Sequence, residues 1–442
     1  MRVQLSDHFT YPKLMRFVTP SILMMICTSI YSVVDGYFVS NYVGKTSFAA
    51  VNLMMPVLIV VGAMGFMIGA GGTAIVAKTL GEGDHTKANR IFSLMIYTVV
   101  IGGVGLTVVS LLFLKPLAVL LGASGTMLTE AINYARIILI ANTFFMLQNV
   151  FQTFFIAAEK QKMGLYVTIL AGITNIVLDF LFVGQWGWGI EGAALATALS
   201  QLIGGTTPFL YFLLPNRSLL RLTRPLWSGK ILLKACTNGS SELLTNVSAS
   251  VVTMLYNFQL LKFAQDDGVA AYGAIMYVNF IFAAVFFGYC LGSAPIISFH
   301  YGASNKKELH NLYRKSLTVI GCIGVTMAVI SFAMASPFAK LFVGYDADLY
   351  RLTVTGFQWY AFSFLLFGFN VFGSSFFTAL NNGGISAAIS FSRTLLFQVI
   401  TILILPLWFQ TDGIWMATTV AELLSLCVTL PCFLWKKKQY GY

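Results

Sequence analysis

The sequence predicts an all-α polytopic membrane protein, with twelve transmembrane helices in two six-helix lobes that form a parallel internal repeat. Composition, the recurrence of long apolar stretches and an internal copy of the chain carry this reading. The chain is 57% hydrophobic and 10% charged over 442 residues, against roughly 25% charged in an average soluble domain. Mean hydropathy is +0.80. Apolar stretches, each long enough to cross about 30 Å of hydrocarbon, fall at 14–38, 47–70, 91–114, 132–157, 164–183, 190–214, 236–261, 269–297, 316–336, 353–379, 384–407 and 413–434. They are read as helices, because backbone in lipid must satisfy its hydrogen bonds internally and these runs are too long for barrel strands.

The copy is offset by 221 residues. That shift sets Ser47–Val57 on Gly268–Val278, Pro116–Leu120 on Pro337–Leu341 and Asn149-Val150-Phe151 on Asn370-Val371-Phe372. It also sets Gly81 on Gly302 and Ala158 on Ala379, before slipping to 224 where Gly189-Ile190 meets Gly413-Ile414. Six spans return the chain to the side on which it began, so both copies enter the membrane in the same orientation. Parallel repeats of this kind are related by an axis along the membrane normal, with a substrate cavity between them near the midplane. The expected organisation is an amino-terminal lobe over 1–214, a basic connector over 215–234 that carries Pro215 and Pro225, and a carboxy-terminal lobe over 235–442.

The net charge of +11 describes topology. Of the 27 Lys and Arg, 20 fall on one set of alternating segments: Arg2, Lys13 and Arg16 at the start, then the turns holding Lys78, Lys160, Arg217 and Lys306, then Lys436–Lys438. Six fall on the other side, Lys45, Lys115, Arg136, Lys262, Lys340 and Arg351, and Arg393 lies within span 11. The positive-inside rule puts both termini in the cytoplasm, in a multi-pass protein of the cell's inner (plasma) membrane. No basic soluble face interleaved with aromatics is present, which argues against nucleic acid as a partner. The six cysteines lie in or at the ends of the spans without a C-x-x-C, and the four histidines form no ligand cluster, so no disulfide framework, metal site or cofactor is expected.

Ionisable groups inside a span are expensive and mark functional sites by default. Asp35, Asp179, Glu242 and Glu422 are intramembrane by these spans. Asp35 in span 1 and Asp179 in span 5 each lie about five residues from the outer loop, so about 8 Å deep. Asn175 precedes Asp179 by four and shares its helix face. Thr197 in span 6 returns from the same loop. Under the 221 shift Asp35 falls on Tyr256 and Asp179 on Ile400, so the second copy lacks both acids. Two acids in one apolar cluster suit a coupling-ion site, since like charges at short range favour holding one proton near neutral pH. The same oxygens suit Na⁺ equally, and the residues do not choose. Asn149 and Gln152 share a face of span 4 and, with Glu422 near the middle of span 12, are candidates for the substrate cavity. Glu242 reads as an acid in the first turn of span 7, meeting the positive end of the helix dipole. Arg393 is the one base deep within a span, and its position alone does not show whether it pairs with Glu422.

The stretch from Asn175 to Asp179, continued by Gly189-Ile190-Glu191-Gly192-Ala193-Ala194-Leu195-Ala196-Thr197, resembles spans 5 and 6 of the multidrug and toxic compound extrusion (MATE) family. Pro20 and Asp35 resemble the family's kinking proline and ion-linked aspartate. Gly81-Glu82-Gly83-Asp84 and Gly302-Ala303-Ser304-Asn305 resemble its paired cytoplasmic turns. The resemblance covers essentially the whole chain and is greatest to the prokaryotic MepA- and DinF-like branch. It implies alternating access and export of organic cations or drug-like molecules by a monomer, driven by inward H⁺ or Na⁺. Carried over by position, it implies an amino-lobe ion site of Asp35, Asn175, Asp179 and Thr197, with Ala193 as a backbone ligand. Span 7 departs from the NorM-type branch, which has a mid-helix acid there.

Two other readings compete. A flippase for a lipid-linked or peptide-like substrate would be favoured by a relay of bases deep within the spans, of which Arg393 is the sole example. An intramembrane enzyme would need a nucleophile–base pair or a metal motif, and neither G-x-S-x-G nor H-E-x-x-H occurs.

Overall fold

A computed structural model describes residues 3–344 and 346–442. Arg2 lies outside the described residues, as does the side chain of Lys45. The described residues form thirteen α-helices and no strand. In the first half these are α1 (Tyr11–Phe38), α2 (Lys45–Gly81), α3 (His85–Leu120), α4 (Gly125–Ala157), α5 (Gln161–Asp179) and α6 (Gly189–Leu213). The second half holds α7 (Gly229–Gly302), α8 (Lys306–Ala333), the short α9 (Ala335–Val343), α10 (Ala347–Ala361), α11 (Ser363–Ala379), α12 (Gly383–Phe391) and α13 (Phe397–Tyr440).

Two of these helices are hairpins. Gln265 in α7 has φ 51° and Gln410 in α13 has φ 51°, both outside helical geometry. Tyr256 and Tyr272 would stand about 24 Å apart on an unbroken helix, yet their rings stack at 5.1 Å. Arg393 and Glu422 would be about 43 Å apart on a straight path, yet they pair at 2.9 Å. The chain therefore folds back at both glutamines, giving each hairpin two antiparallel arms. The α10–α11 pair is one crossing bent by 46° at Phe362. The hairpin arms are the separate spans expected at 236–261 and 269–297 and at 384–407 and 413–434. Only the span at 353–379 is bent, and the chain crosses twelve times, six per lobe. The least apolar crossings are α6 and the first arm of α7, which fall short of the hydropathy met by eight of the other helices.

Glycines set how the lobes meet. A methyl on Gly71 would strike the Ala235 carbonyl, and one on Gly292 would strike Val18 of α1. Gly81 lies against the Phe299 carbonyl, and Gly302 against the Lys78 carbonyl. Gly71 with Gly292, and Gly81 with Gly302, are each related by the 221 shift, so the seam has the two-fold symmetry of the repeat. Small residues allow this backbone approach, which in lipid substitutes for a hydrophobic driving force. The seam lies on the side that carries both termini. Two core clusters mix residues of both lobes: one lies toward that side, and the other runs the length of the second lobe and takes in buried first-lobe residues only from Leu5 to Met24 and at Ile156. The third, at the opposite end around Met54, Tyr134 and Ala193, draws on residues of the first lobe alone. Packing between the lobes is therefore concentrated toward the terminus side.

Candidate functional site

Three helices of the first lobe converge on the predicted acid pair. Asp35 comes from the last third of α1, Asn175 and Asp179 from the end of α5, and Thr197 from α6. The Thr197 hydroxyl donates to Asp35 Oδ1 at 3.3 Å and receives the Asn175 amide at 3.4 Å. Asp35 is half-buried, whereas Asn175 is 2% exposed and Asp179 fully buried. Asp179 lies within electrostatic reach of Asp35. Neither of its carboxyl oxygens has a hydrogen-bond donor, and Asn175 Oδ1 has none either. Three buried oxygens one turn apart on α5 thus have no hydrogen-bond donor. Two carboxylates cannot bond each other without a proton, so the site fits an added proton or a small cation. Ala193 is buried one helical turn before Thr197.

Two features of this site were not legible in the sequence. Tyr134 of α4 is 2% exposed and lies within reach of both carboxyls; a tyrosine in an apolar span gave no signal. The second feature is the backbone. α1 widens to a π-helix over Val39–Val43, just after Asp35, and α5 widens over Phe180–Gln185, immediately after Asp179. The third π segment among the described residues, Ser392–Leu396, contains Arg393. π turns leave a local irregularity in the hydrogen-bond ladder and recur at functional sites.

The second lobe keeps the frame and changes the chemistry. Tyr256, which replaces Asp35 in the repeat, bonds Thr418 at 2.7 Å and donates to Gln398 at 3.2 Å. Thr418 lies about one turn before Ala421, the residue that the 224 offset sets on Thr197, so the Tyr256–Thr418 contact is an uncharged analogue of Asp35–Thr197 without matching it position for position. Arg393 Nε donates to Glu422 Oε1 at 2.9 Å. Asn370 also donates to Glu422 at 2.7 Å, and the guanidinium lies 4.4 Å over the Phe367 ring. The base and acid that the sequence left unpaired are one buried, satisfied unit, with Glu422 1% exposed.

The remaining predicted residues are placed as follows. Asn149 donates to the Phe145 carbonyl of its own helix at 2.8 Å, and Gln152 ties α4 to Thr168 of α5 at 3.4 Å. α1 runs through Pro20 as one helix, with the Pro20 ring removing one rung of its ladder. Glu242 requires correction. α7 begins at Gly229, so Glu242 sits in the fourth turn, near Arg393 and Cys290, not in the first turn. The polar run Asn238-Gly239-Ser240-Ser241 resembled a helix start, but it is where α7 crosses α2.

Comparison with known proteins decides the family. The MatE family model matches residues 20–181 and again 243–404, one match in each half of the chain. The chain belongs to the MatE family. Its family membership makes it a transporter and accounts for two matches in one chain. The Multidrug export protein MepA of Staphylococcus saprophyticus is 23% identical over 364 residues, covering 80% of each chain. The MepA of Staphylococcus haemolyticus is 25% identical over 325 residues, covering 73% of this chain and 72% of that one. Among solved structures, the outward-facing conformation of a multidrug resistance MATE family transporter of the MOP superfamily superposes with a TM-score of 0.92. It is 23% identical and the match covers 100% of this chain and 98% of the other, a likeness of fold.

Proposed function

We propose that this MATE protein is an antiporter that exports organic cations and other drug-like molecules, driven by inward H⁺ or Na⁺. The observation that carries the coupling is the set of three buried oxygens without a donor at Asp179 and Asn175. An ion entering from the far side meets half-buried Asp35 first; Thr197 and Asn175 hold Asp35 from one side, and fully buried Asp179 lies within electrostatic reach of it. Occupation by a proton or Na⁺ removes the penalty of a buried unpaired carboxylate, which gives the two lobe arrangements different affinities for the ion. That difference is what an antiporter needs to convert a gradient into alternating access. The two names of MepA relatives support the substrate class.

The proposed arrangement has lobes at 1–214 and 235–442, and a connector over 215–234 whose last residues already belong to α7. The proposed location is the inner (plasma) membrane, with both termini cytoplasmic, so that the far side faces outward. Asp35, Asn175, Asp179, Thr197 and the Ala193 carbonyl form the ion site, and Asn149, Gln152 and Glu422 support the cavity walls. The Arg393 charge is neutralised by Glu422, which removes the basic feature that favoured a flippase. Purified protein in proteoliposomes should release a fluorescent organic cation under an imposed pH gradient or an imposed Na⁺ gradient. Release under neither gradient would sink the coupling.

A further inference from the structure

The segment before α1 is pinned at both ends, to different lobes. The Leu5 amide donates to Glu159 Oε1 at 2.8 Å, in the turn between α4 and α5 of the first lobe. The Phe9 amide donates to Glu308 Oε1 at 2.9 Å, in the first turn of α8 in the second lobe. His8 Nδ1 meets the other oxygen of Glu308 at 2.6 Å. Asn311 donates both to Glu308 at 2.8 Å and to the Phe9 carbonyl at 3.0 Å, and the Lys315 ammonium reaches that carbonyl as well. Leu5 and Phe9 are completely buried, in a core that contains residues of both lobes. The Phe9 ring stands edge-on to Phe17 at 5.8 Å and to His300 at 6.3 Å.

We propose that residues 3–10 are a latch across the terminus side of the transporter, with Glu308 as its catch and Phe9 as its plug. Separating the lobes on this side moves the α4–α5 turn away from α8. A short segment tied to Glu159 and Glu308 cannot follow both, so opening must break the Glu308 end or the Leu5 end. Each bond at Glu308 is charge-assisted or buried, the stronger class of hydrogen bond, and withdrawal of Phe9 exposes an aromatic ring that packing now hides. The latch thus biases the protein toward the state in which this side is closed. The glycine seam makes the closed state tight, and the latch makes it costly to leave.

The test is a distance across the terminus side. Spin labels at Lys162 and Lys307, both exposed, are placed in full-length protein from which the native cysteines have been removed. Electron–electron resonance then compares the parent with Glu308→Ala and with Phe9→Ala. Either variant should raise the open-to-closed ratio about tenfold, as loss of a charge-assisted bond set or a buried ring allows. Phe9→Ala leaves the Glu308 carboxylate in place, so it remains informative should Glu308→Ala fail to fold. An unchanged distance distribution in a folded Phe9→Ala protein overturns the latch. The readout needs no gradient, so it stands apart from the coupling proposed above.

Discussion

Asp179 is buried with both oxygens lacking donors, and its pair with Asp35 spans a gradient from the half-exposed cleft side to a sealed interior. If the two act as one site, Asp35→Asn and Asp179→Asn should each abolish gradient-driven efflux while the protein stays in the membrane. The double variant should be no worse than either, because members of one unit are non-additive. Retained efflux in Asp179→Asn would move the coupling elsewhere. Tyr256→Phe tests the other lobe. It strips the hydroxyl that bonds Thr418 and Gln398, so thermal stability should fall by about 1–2 kcal/mol with efflux retained. A transport defect without a stability loss would give Tyr256 a direct role in transport.

At the scale of elements, the hairpin of α13 is held by a charge pair in a low-dielectric interior. Arg393→Met leaves the Glu422 carboxylate buried and unpaired, and such single removals cost about 3–5 kcal/mol. The double variant Arg393→Met with Glu422→Met should be markedly more stable than either single one, as measured by melting in detergent. Equal losses in all three would mean the pair acts through something other than charge compensation. The seam offers a second test. Gly302→Ala places a methyl against the Lys78 carbonyl, and overpacking of this kind costs about 1–3 kcal/mol. The variant should melt earlier and cross-link less readily between α2 and the second arm of α7.

For the whole molecule, topology is the testable quantity. Cysteines introduced near Lys160 and near Gln185 should label from opposite sides of the membrane, the first from inside only, as the distribution of 20 bases against six requires. Labelling of both from one side would undo the twelve crossings and the parallel relation of the lobes. The concentration of lobe packing toward the terminus side also follows at this scale. It arises because the glycine crossings and the first-lobe share of the mixed cores lie toward one end of the bundle, while the core at the other end of the first lobe takes no residue of the second.

Hydropathy, the 221-residue copy and the in-span acids determined the fold class, the number of crossings and the cluster of Asp35, Asn175, Asp179 and Thr197. These are legible because a bilayer imposes length and penalises charge residue by residue, so the signals are local. Contacts between distant segments are not local. The turn at Gln410 was legible as the gap between spans 384–407 and 413–434, with Asp412-Gly413 in it, but the partnership of Arg393 with Glu422 across the two arms was not. Likewise the gap between spans 236–261 and 269–297, with Gly268 in it, marks the turn at Gln265, but not the stacking of Tyr256 on Tyr272. Glu242 was misplaced because a polar run reads as a helix end, although in the folded protein Gly239 of that run lets α7 cross α2 and Asn238 and Ser241 bond Thr378 of α11. The π turns beside the acids, the Tyr134 ring within reach of both and the grip of Glu308 on the Phe9 amide were decided by packing alone. Each depends on which backbone atoms approach across the bundle, and sequence spacing carries no record of that.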